Sequence, residues 1–290
     1  MGNYITILIQ AVIQGLTEFL PVSSSGHLSV AGHFMNVGET GLTVSIVLHL
    51  GTLLAIFIAF REAVWGIIRE FFLTIGAIVT GKFSWRDMND DRRMLFMVII
   101  ATSLLIPIIF VKDFFTAPAL DNDIIFEGAA FIFTGTNLFM ADSCAKGIKK
   151  PSEMKIRDAL TVGFLQIIAL FPGVSRSGST ISAGLFCGLS RKTAVTFSFL
   201  LGIPAIIGAG LLEARELLQP DVANAYELDW PILGIGLVVS MIVGLFAIKL
   251  VKLLIKKEKF KIFAIYTMTL GFLCIIWGVF ENITGITFRI

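Results

Sequence analysis

The stretch Gln14-Gly15-Leu16-Thr17-Glu18-Phe19-Leu20-Pro21-Val22-Ser23-Ser24-Ser25-Gly26-His27 recurs 152 residues later, from Gln166 to Ser179. Six of the fourteen paired positions are identical, and both copies contain Phe-x-x-Val-Ser-x-Ser-Gly. The first copy places Glu18 and His27 in an otherwise apolar chain, and the second places Arg176 there. The recurrence indicates an ancestral duplication and predicts a functional site built from the two polar stretches.

The composition predicts an all-α integral membrane protein. Hydrophobic residues make up 56% of the 290 residues, charged residues 15%, and the mean hydropathy is +0.88. A water-soluble domain of this size would need more polar residues to cover its surface. Crossing the hydrocarbon takes about 20 apolar residues. Six runs approach that length and are predicted transmembrane helices: residues 44–60, 94–111, 124–141, 194–212, 231–248 and 262–280.

Two further segments, 3–34 and 159–189, are apolar at both ends and are interrupted in the middle by a Ser/Gly-rich motif. Two full crossings with a turn would need about forty residues, which neither segment has. Each segment therefore predicts a re-entrant helix pair whose second helix begins just after Ser24 or just after Arg176. Because unpaired peptide groups are costly in lipid, the turns should face the protein interior.

The distribution of positive charge predicts the orientation. In this layout 19 of the 23 lysines and arginines fall on one side, in segments 61–93, 146–157, 191–192 and 249–261. The other side holds Lys112, Arg215 and Arg289. The bias places the basic loops in the cytoplasm and both termini outside. Membrane orientation accounts for these loops, and with a net charge of only +2 we expect no nucleic-acid binding.

Three crossings per copy make the second copy enter the membrane from the opposite side. A single membrane domain, 1–290, is thus predicted to be an inverted-topology repeat of residues 1–145 and 146–290. Discontinuous helices of such repeats commonly direct their N-termini at anionic substrates near the midplane. Both second helices would offer free N–H groups and positive dipole ends to one spot, which predicts an anion there.

The side chains of the two motifs are also suited to bind an anion. An arginine at mid-depth is costly and indicates function, and the donors of Arg176 suit phosphate oxygens. The alternative is an ion pair with Glu18 that only holds the repeats together. His27 can act as acid, base or nucleophile near neutral pH, so with Ser24 and Arg176 it would complete a set for phosphoryl hydrolysis. The remaining hydroxyls are phosphate ligands or small packing residues: Ser23, Ser25, Ser175, Ser177, Ser179 and Thr180.

These motifs resemble the signatures of a known family. Gln14-x-x-x-Glu18, Pro21-Val22-Ser23-Ser24-Ser25-Gly26-His27 and Pro172-Gly173-Val174-Ser175-Arg176-Ser177-Gly178-Ser179-Thr180 resemble those of the bacterial undecaprenyl-diphosphate phosphatases, the bacitracin-resistance family. The resemblance covers nearly the whole chain, including Phe197-Ser198-Phe199-Leu200 and Ala264-Ile265-Tyr266. It implies hydrolysis of the C55 polyprenyl diphosphate carrier to its monophosphate in the bacterial cell (inner) membrane, for reuse in peptidoglycan synthesis. The expected partners are this lipid, membrane lipids and, in a homodimer, a second copy.

The resemblance also implies roles for individual residues. Ser24 or His27 would be nucleophile or base, Arg176 the phosphate clamp, and Glu18 a metal ligand or general acid/base. Gln14 cannot ionise, so a divalent cation, Mg²⁺ or Ca²⁺, would be held mainly by Glu18 and substrate phosphates. The implied phosphate-binding residues are Gln14, Ser23, Ser25, Gly26, Ser175, Ser177, Gly178 and Thr180.

A function of another class is compatible with the same repeat. Inverted repeats are common in transporters, so a transporter or flippase for a polyprenyl phosphate is the alternative prediction. Phosphate release from a lipid diphosphate without any gradient distinguishes the two. A small-anion channel is disfavoured because the sequence contains no ring of charges and no continuous polar helix face.

Overall fold

The computed structural model describes residues 2–35, 41–111, 114–115, 124–144, 147–217, 230–256 and 259–287. Within these ranges the structure is helical, with no strand and one isolated bridge between Lys149 and Leu189. The predicted all-α class is confirmed. The helices are α1 Gly2–Phe19, α2 Ser24–Met35, α3 Leu42–Ala59, α4 Arg61–Val79, α5 Asp90–Ser103, α6 Ile125–Ser143, α7 Ile156–Ile168, α8 Arg176–Phe186, α9 Arg191–Leu217, α10 Trp230–Lys256 and α11 Lys261–Thr284.

Among the described residues, five helical segments are long and apolar enough to cross a membrane, which supports a multi-pass membrane protein. They are Leu42–Ala59, Asp90–Val111, Arg191–Leu217, Trp230–Ile255 and Lys261–Thr284. The remaining predicted span, 124–141, is helical as α6 but is not among the five. The reason is its polar residues, of which Glu127 and Thr134 are buried against the rest of the protein. The number of six spans stays a prediction.

Two local features differ from the sequence-based expectation. Helix α5 ends at Ser103, and a short 3-10 helix follows at Pro107–Val111, so the run 94–111 is not one continuous α-helix. The residue before a proline is disfavoured in the α region, which explains the interruption. The basic segment 61–93, expected as a loop, contains α4. Its charged residues exclude a transmembrane span, so the segment was expected as a loop, although an amphipathic helix has such a pattern.

Several residues used in the orientation argument lie outside the described part of the chain. These are Lys112, Lys146, Lys257 and Arg289. The same holds for the two chain ends, residue 1 and residues 288–290. The predicted placement of both termini outside the cell therefore stays a prediction.

The two interrupted segments form helix pairs at the centre of the packing. Helix α1 packs against α2, α3 and α10, and α7 packs against α5 and α8. Helix α8 also lies between α6 and α9, and its residues from Ser177 to Leu185 are all buried. An aromatic cluster packs beside the first break, with ring centroids of Phe19 and Phe60 at 5.6 and 5.3 Å from that of Phe199. The breaks are thus surrounded by protein.

Helices α6 and α11 approach closely at a pair of glycines. A Cβ added at Gly271 would lie 2.5 Å from the Gly128 carbonyl oxygen, and one added at Gly128 would lie 2.7 Å from the Gly271 oxygen. Small residues permit such close helix packing in membrane proteins. The contact holds α11 against α6 and so places Tyr266 beside the first motif.

Candidate active site

Proline and left-handed backbone end the first helix of each pair. Helix α1 ends at Phe19, two residues before Pro21, and α2 begins after Ser23, whose φ is 74°. A non-glycine residue in this region costs about 1–3 kcal/mol, which its surroundings must compensate. In the second copy the left-handed residue is Gly173, with a φ of 81°, where no strain arises. The repeated sequence therefore makes the same break with different backbone angles.

The serine before each second helix caps that helix. Ser23 Oγ accepts the Gly26 N–H at 3.2 Å, and Ser175 Oγ accepts the Gly178 N–H at 3.0 Å. Helices α2 and α8 begin directly after these serines, close to their predicted starts. The first N–H groups of a helix have no partner within it. Both helix N-termini therefore carry donors that can bind an anion.

The two breaks contact each other through equivalent serines. Ser25 Oγ accepts the Gly173 N–H at 3.2 Å, and the Ser177 hydroxyl donates to the Leu20 carbonyl at 3.2 Å. Each hydrogen bond joins one copy of the motif to the other. The structure thus brings the N-termini of α2 and α8 together, and with them Glu18 and Arg176.

Arg176 and Glu18 form an ion pair at this junction. Arg176 Nη2 lies 2.8 Å from Glu18 Oε1, with the two side chains 17% and 7% exposed. Arg176 Nη1 also donates to the Ser198 carbonyl at 3.4 Å, and Gln14 Nε2 donates to Glu18 Oε2 at 3.1 Å. A Cβ at Gly202 would lie 2.5 Å from Arg176 Nη1, so this glycine provides the room for the guanidinium. A guanidinium has five N–H donors, and these contacts leave several for phosphate oxygens.

The hydroxyl of Ser24 donates to Glu18 Oε2 at 2.8 Å. The acceptor of its proton in the structure is therefore a carboxylate, whereas the sequence predicted that Ser24 acts together with His27. The difference arises because the ion pair with Arg176 turns Glu18 toward the start of α2. A hydroxyl within hydrogen-bond reach of a carboxylate base is a suitable nucleophile.

His27 contacts the backbone before α2 and the last helix. Its Nδ1 lies 2.7 Å from the Ser23 carbonyl oxygen, and its Nε2 lies 2.8 Å from the Tyr266 hydroxyl. The imidazole packs edge-on against Phe131 and parallel to Tyr266. His27 therefore lies beside the first break and has a hydrogen-bond partner on the last helix, and its catalytic role stays a prediction.

The other predicted phosphate ligands all contact the two helix N-termini. Thr180 donates to the Arg176 carbonyl at 2.8 Å and lies 2.7 Å from Ser198 Oγ. A Cβ on Gly26 would lie 2.7 Å from the Phe131 ring, so α2 needs a glycine there. The remaining hydrogen bonds of these residues cap the helices or join the two breaks. Phosphate binding stays a prediction for Ser23, Ser25, Gly26, Ser175, Ser177, Gly178 and Thr180.

The predicted divalent cation at Glu18 has few ligands around it. Both Glu18 oxygens already accept hydrogen bonds, and the cationic Arg176 is in contact with one of them. In the described part of the chain no three His, Cys, Asp or Glu side chains are grouped as a metal site. These residues do not form a ready site for Mg²⁺ or Ca²⁺, and the cation stays a prediction through which no step below is routed.

Two residues of the site were not predicted from the motifs. Tyr266 lies 239 residues from His27, and no local pattern links them. Ser198 contacts both Arg176 and Thr180 although it lies in an apolar run. A lone serine in such a run is a usable signal, because a polar group within a membrane helix tends to face protein.

Comparisons with known proteins show which family this chain resembles. The family model described as bacitracin resistance protein BacA matches residues 7–273. An undecaprenyl-diphosphatase of Alkaliphilus metalliredigens is 38% identical over 283 residues, covering 96% of this chain and 99% of that protein. One of Methanosphaera stadtmanae is 35% identical over 286 residues, with coverage of 96% and 99%. One of Corynebacterium efficiens is 36% identical over 267 residues, with coverage of 92% and 87%. Because the range matched by the family model includes both motifs and most of the chain, this protein belongs to the bacitracin resistance protein BacA family.

Proposed function

We propose that this chain hydrolyses undecaprenyl diphosphate to undecaprenyl phosphate and inorganic phosphate. The observation that carries the proposal is the contact of Ser24, Glu18 and Arg176 where the two helix N-termini meet. Relatives named undecaprenyl-diphosphatase, at 35–38% identity over nearly the full length, support the choice of substrate. The reaction would recycle the lipid carrier for peptidoglycan synthesis and confer bacitracin resistance.

The head group would bind as an anion between α2 and α8. Their free N–H groups and dipoles favour negative charge, and Arg176 can donate to two phosphate oxygens at once. The prenyl chain would remain among apolar helix surfaces and lipid, because each buried methylene contributes about 0.8 kcal/mol. Binding therefore needs an anion-binding junction that a lipid can reach from the side.

In the first chemical step, Ser24 Oγ attacks the terminal phosphorus. The Oγ–P bond forms, the bridging P–O bond breaks, and undecaprenyl phosphate leaves with the bridging oxygen. The hydroxyl proton passes to Glu18 Oε2, 2.8 Å away, and Arg176 stabilises charge on the phosphoryl oxygens.

In the second step, water attacks the phosphoserine. A new P–O bond forms, the Oγ–P bond breaks, and inorganic phosphate is released. His27 Nε2 takes the proton from the water, and Glu18 returns its proton to Ser24 Oγ. This scheme assigns the attack to Ser24, because its hydroxyl already has a carboxylate acceptor.

We infer a topology of six spans and two re-entrant pairs in the bacterial cell (inner) membrane, with basic loops inside and both termini outside. Packing supports the inverted repeat. Helix α1 of the first copy packs against α10 of the second, and correspondingly α7 of the second copy packs against α5 of the first. The amphipathic helix α4 would then lie along the cytoplasmic side. A homodimer in contact with membrane lipids stays a prediction.

The decisive experiment traps the phosphoenzyme. Purified protein in detergent is mixed with undecaprenyl diphosphate labelled on the terminal phosphate and quenched rapidly. We expect release of labelled phosphate without any gradient, and an acid-stable phosphoserine that Ser24→Ala abolishes and His27→Gln increases. Ser152→Ala, at an exposed serine of the short 3-10 helix Pro151–Glu153, is the matched control. An acid-labile phosphohistidine would assign the nucleophile to His27. If no phosphate is released but lipid moves across vesicle membranes, the flippase is favoured, although the names of the relatives do not support it.

A further inference from the structure

The imidazole of His27 is held from several sides. Its Nδ1 is 2.7 Å from the Ser23 carbonyl oxygen, and its Nε2 is 2.8 Å from the Tyr266 hydroxyl. The Tyr266 ring stacks on it with centroids 5.7 Å apart and an interplanar angle of 11°. The Phe131 ring meets it edge-on at 5.1 Å and 70°. Rotation of the imidazole would break each of these contacts.

The hydrogen-bond partners determine which nitrogen carries the proton. A carbonyl oxygen can only accept, so Nδ1 is the protonated nitrogen of the neutral ring. Nε2 then has the lone pair and accepts from the tyrosine hydroxyl. The nitrogen that must take a proton from water is therefore the one that Tyr266 contacts.

Tyr266 lies on helix α11, which packs closely against its neighbour. Helix α11 packs along α6, with Gly128 and Gly271 in close contact. Thr267, the next residue, is fully buried and donates to the Phe263 carbonyl, so the backbone here is enclosed by protein. Tyr266 itself is 47% exposed, so its side chain is only half enclosed and its hydroxyl is free to move off Nε2.

We propose that Tyr266 is a positioning residue for His27 in the hydrolysis of the phosphoenzyme. It keeps the imidazole in its orientation, so that Nε2 is available to take a proton from the attacking water once the phosphoenzyme has formed. When the phosphoenzyme forms, water replaces the hydroxyl at Nε2, while the stacked rings keep the imidazole in place. The inference rests on the proposed diphosphatase reaction for its kinetic consequence, but not for the geometry of the free enzyme.

Tyr266→Phe tests this directly, because it removes the hydroxyl and keeps the stacked ring. We expect kcat to fall about tenfold, KM to change less than about twofold, and phosphoserine to accumulate, since only the water step is slowed. Tyr4→Phe, the same change at an exposed tyrosine of α1, should keep wild-type kinetics. In a cycle with His27→Gln, the double variant should be no slower than His27→Gln alone.

A second readout does not depend on activity. The chain has three histidines, so ¹⁵N-histidine spectra of the full-length protein can be assigned with His33→Gln and His49→Gln variants. We expect the Nδ1–H tautomer for His27 in both proteins, because the Ser23 carbonyl fixes it, and a changed Nε2 chemical shift in Tyr266→Phe, because this nitrogen loses its hydrogen-bond donor. An unchanged spectrum, or a variant with wild-type kcat, overturns the proposal. If neither protein releases phosphate while the spectra differ as expected, the proposed reaction fails and the positioning by Tyr266 stands.

Discussion

Arg176→Lys separates the two roles considered for Arg176. Lysine keeps the positive charge beside Glu18, so the buried carboxylate stays compensated and the protein should fold. Removing the charge altogether would leave Glu18 unpaired, which costs about 3–5 kcal/mol and would confuse folding with function. The variant therefore changes the number and direction of the donors while keeping the charge.

The magnitude follows from the contacts. Arg176 uses one nitrogen for Glu18 at 2.8 Å and another for the Ser198 carbonyl at 3.4 Å, so its plane is held while other donors can reach phosphate. A lysine ammonium that stays with Glu18 cannot also provide a planar fork. Loss of one charge-assisted hydrogen bond in the transition state costs about 2 kcal/mol, or about thirtyfold in kcat/KM.

The assay is phosphate release from undecaprenyl diphosphate in detergent, with the thermal unfolding midpoint measured on the same samples. Arg157→Lys, at a side chain that is 75% exposed, is the matched control. A fall of kcat/KM by about thirtyfold with a nearly unchanged midpoint supports the phosphate clamp. Wild-type kcat/KM with a lowered midpoint would refute it and leave only the ion pair that holds the two repeats together.

Two glycine substitutions test how neighbouring helices support the site. Gly202→Ala should lower kcat/KM about tenfold with little change in unfolding temperature, because its Cβ would lie 2.5 Å from Arg176 Nη1 and displace a flexible side chain. Gly208→Ala, where an added Cβ meets nothing within 4 Å, is the control, and equal activity of both variants would contradict the prediction. Gly271→Leu should destabilise the fold by about 1–3 kcal/mol, because the added atoms meet the Gly128 backbone. Thermal unfolding checks this, and a midpoint equal to that of Gly208→Leu would show that α6 and α11 are not tightly packed.

Much of the local structure could be predicted because it depends on neighbouring residues. Pro21 and the serines before α2 and α8 act within a few positions, so breaks and caps can be located from the motif alone. Helix α4 was expected as a loop, because the charged residues of 61–79 exclude a transmembrane span, although its amphipathic pattern is compatible with a helix. The span at α6 is ambiguous for a related reason, since buried Glu127 and Thr134 lower its apolar character in the sequence.

The sequence predicted which residues would face the junction, but it did not predict which of them would form hydrogen bonds with each other. Polar residues repeated in an apolar chain had to face protein, so Glu18, His27 and Arg176 could be selected without coordinates. The acceptor of the Ser24 proton was a different matter, because Glu18 and His27 are both close to it in sequence. Only the position of Arg176, on the other copy of the motif, turns Glu18 toward Ser24.

The amino-acid sequence alone therefore determined a helical membrane protein with a duplicated polar break and the set of side chains that meet there. Hydrophobicity, helix capping and proline act through composition or between neighbouring residues, so their effects can be predicted from the sequence. The tertiary structure decided which atoms bond: Ser24 with Glu18, and His27 with Tyr266 from a helix 239 residues away. Such pairing depends on how closely helices pack, and contacts like that of Gly128 with Gly271 exist only once the chain has folded.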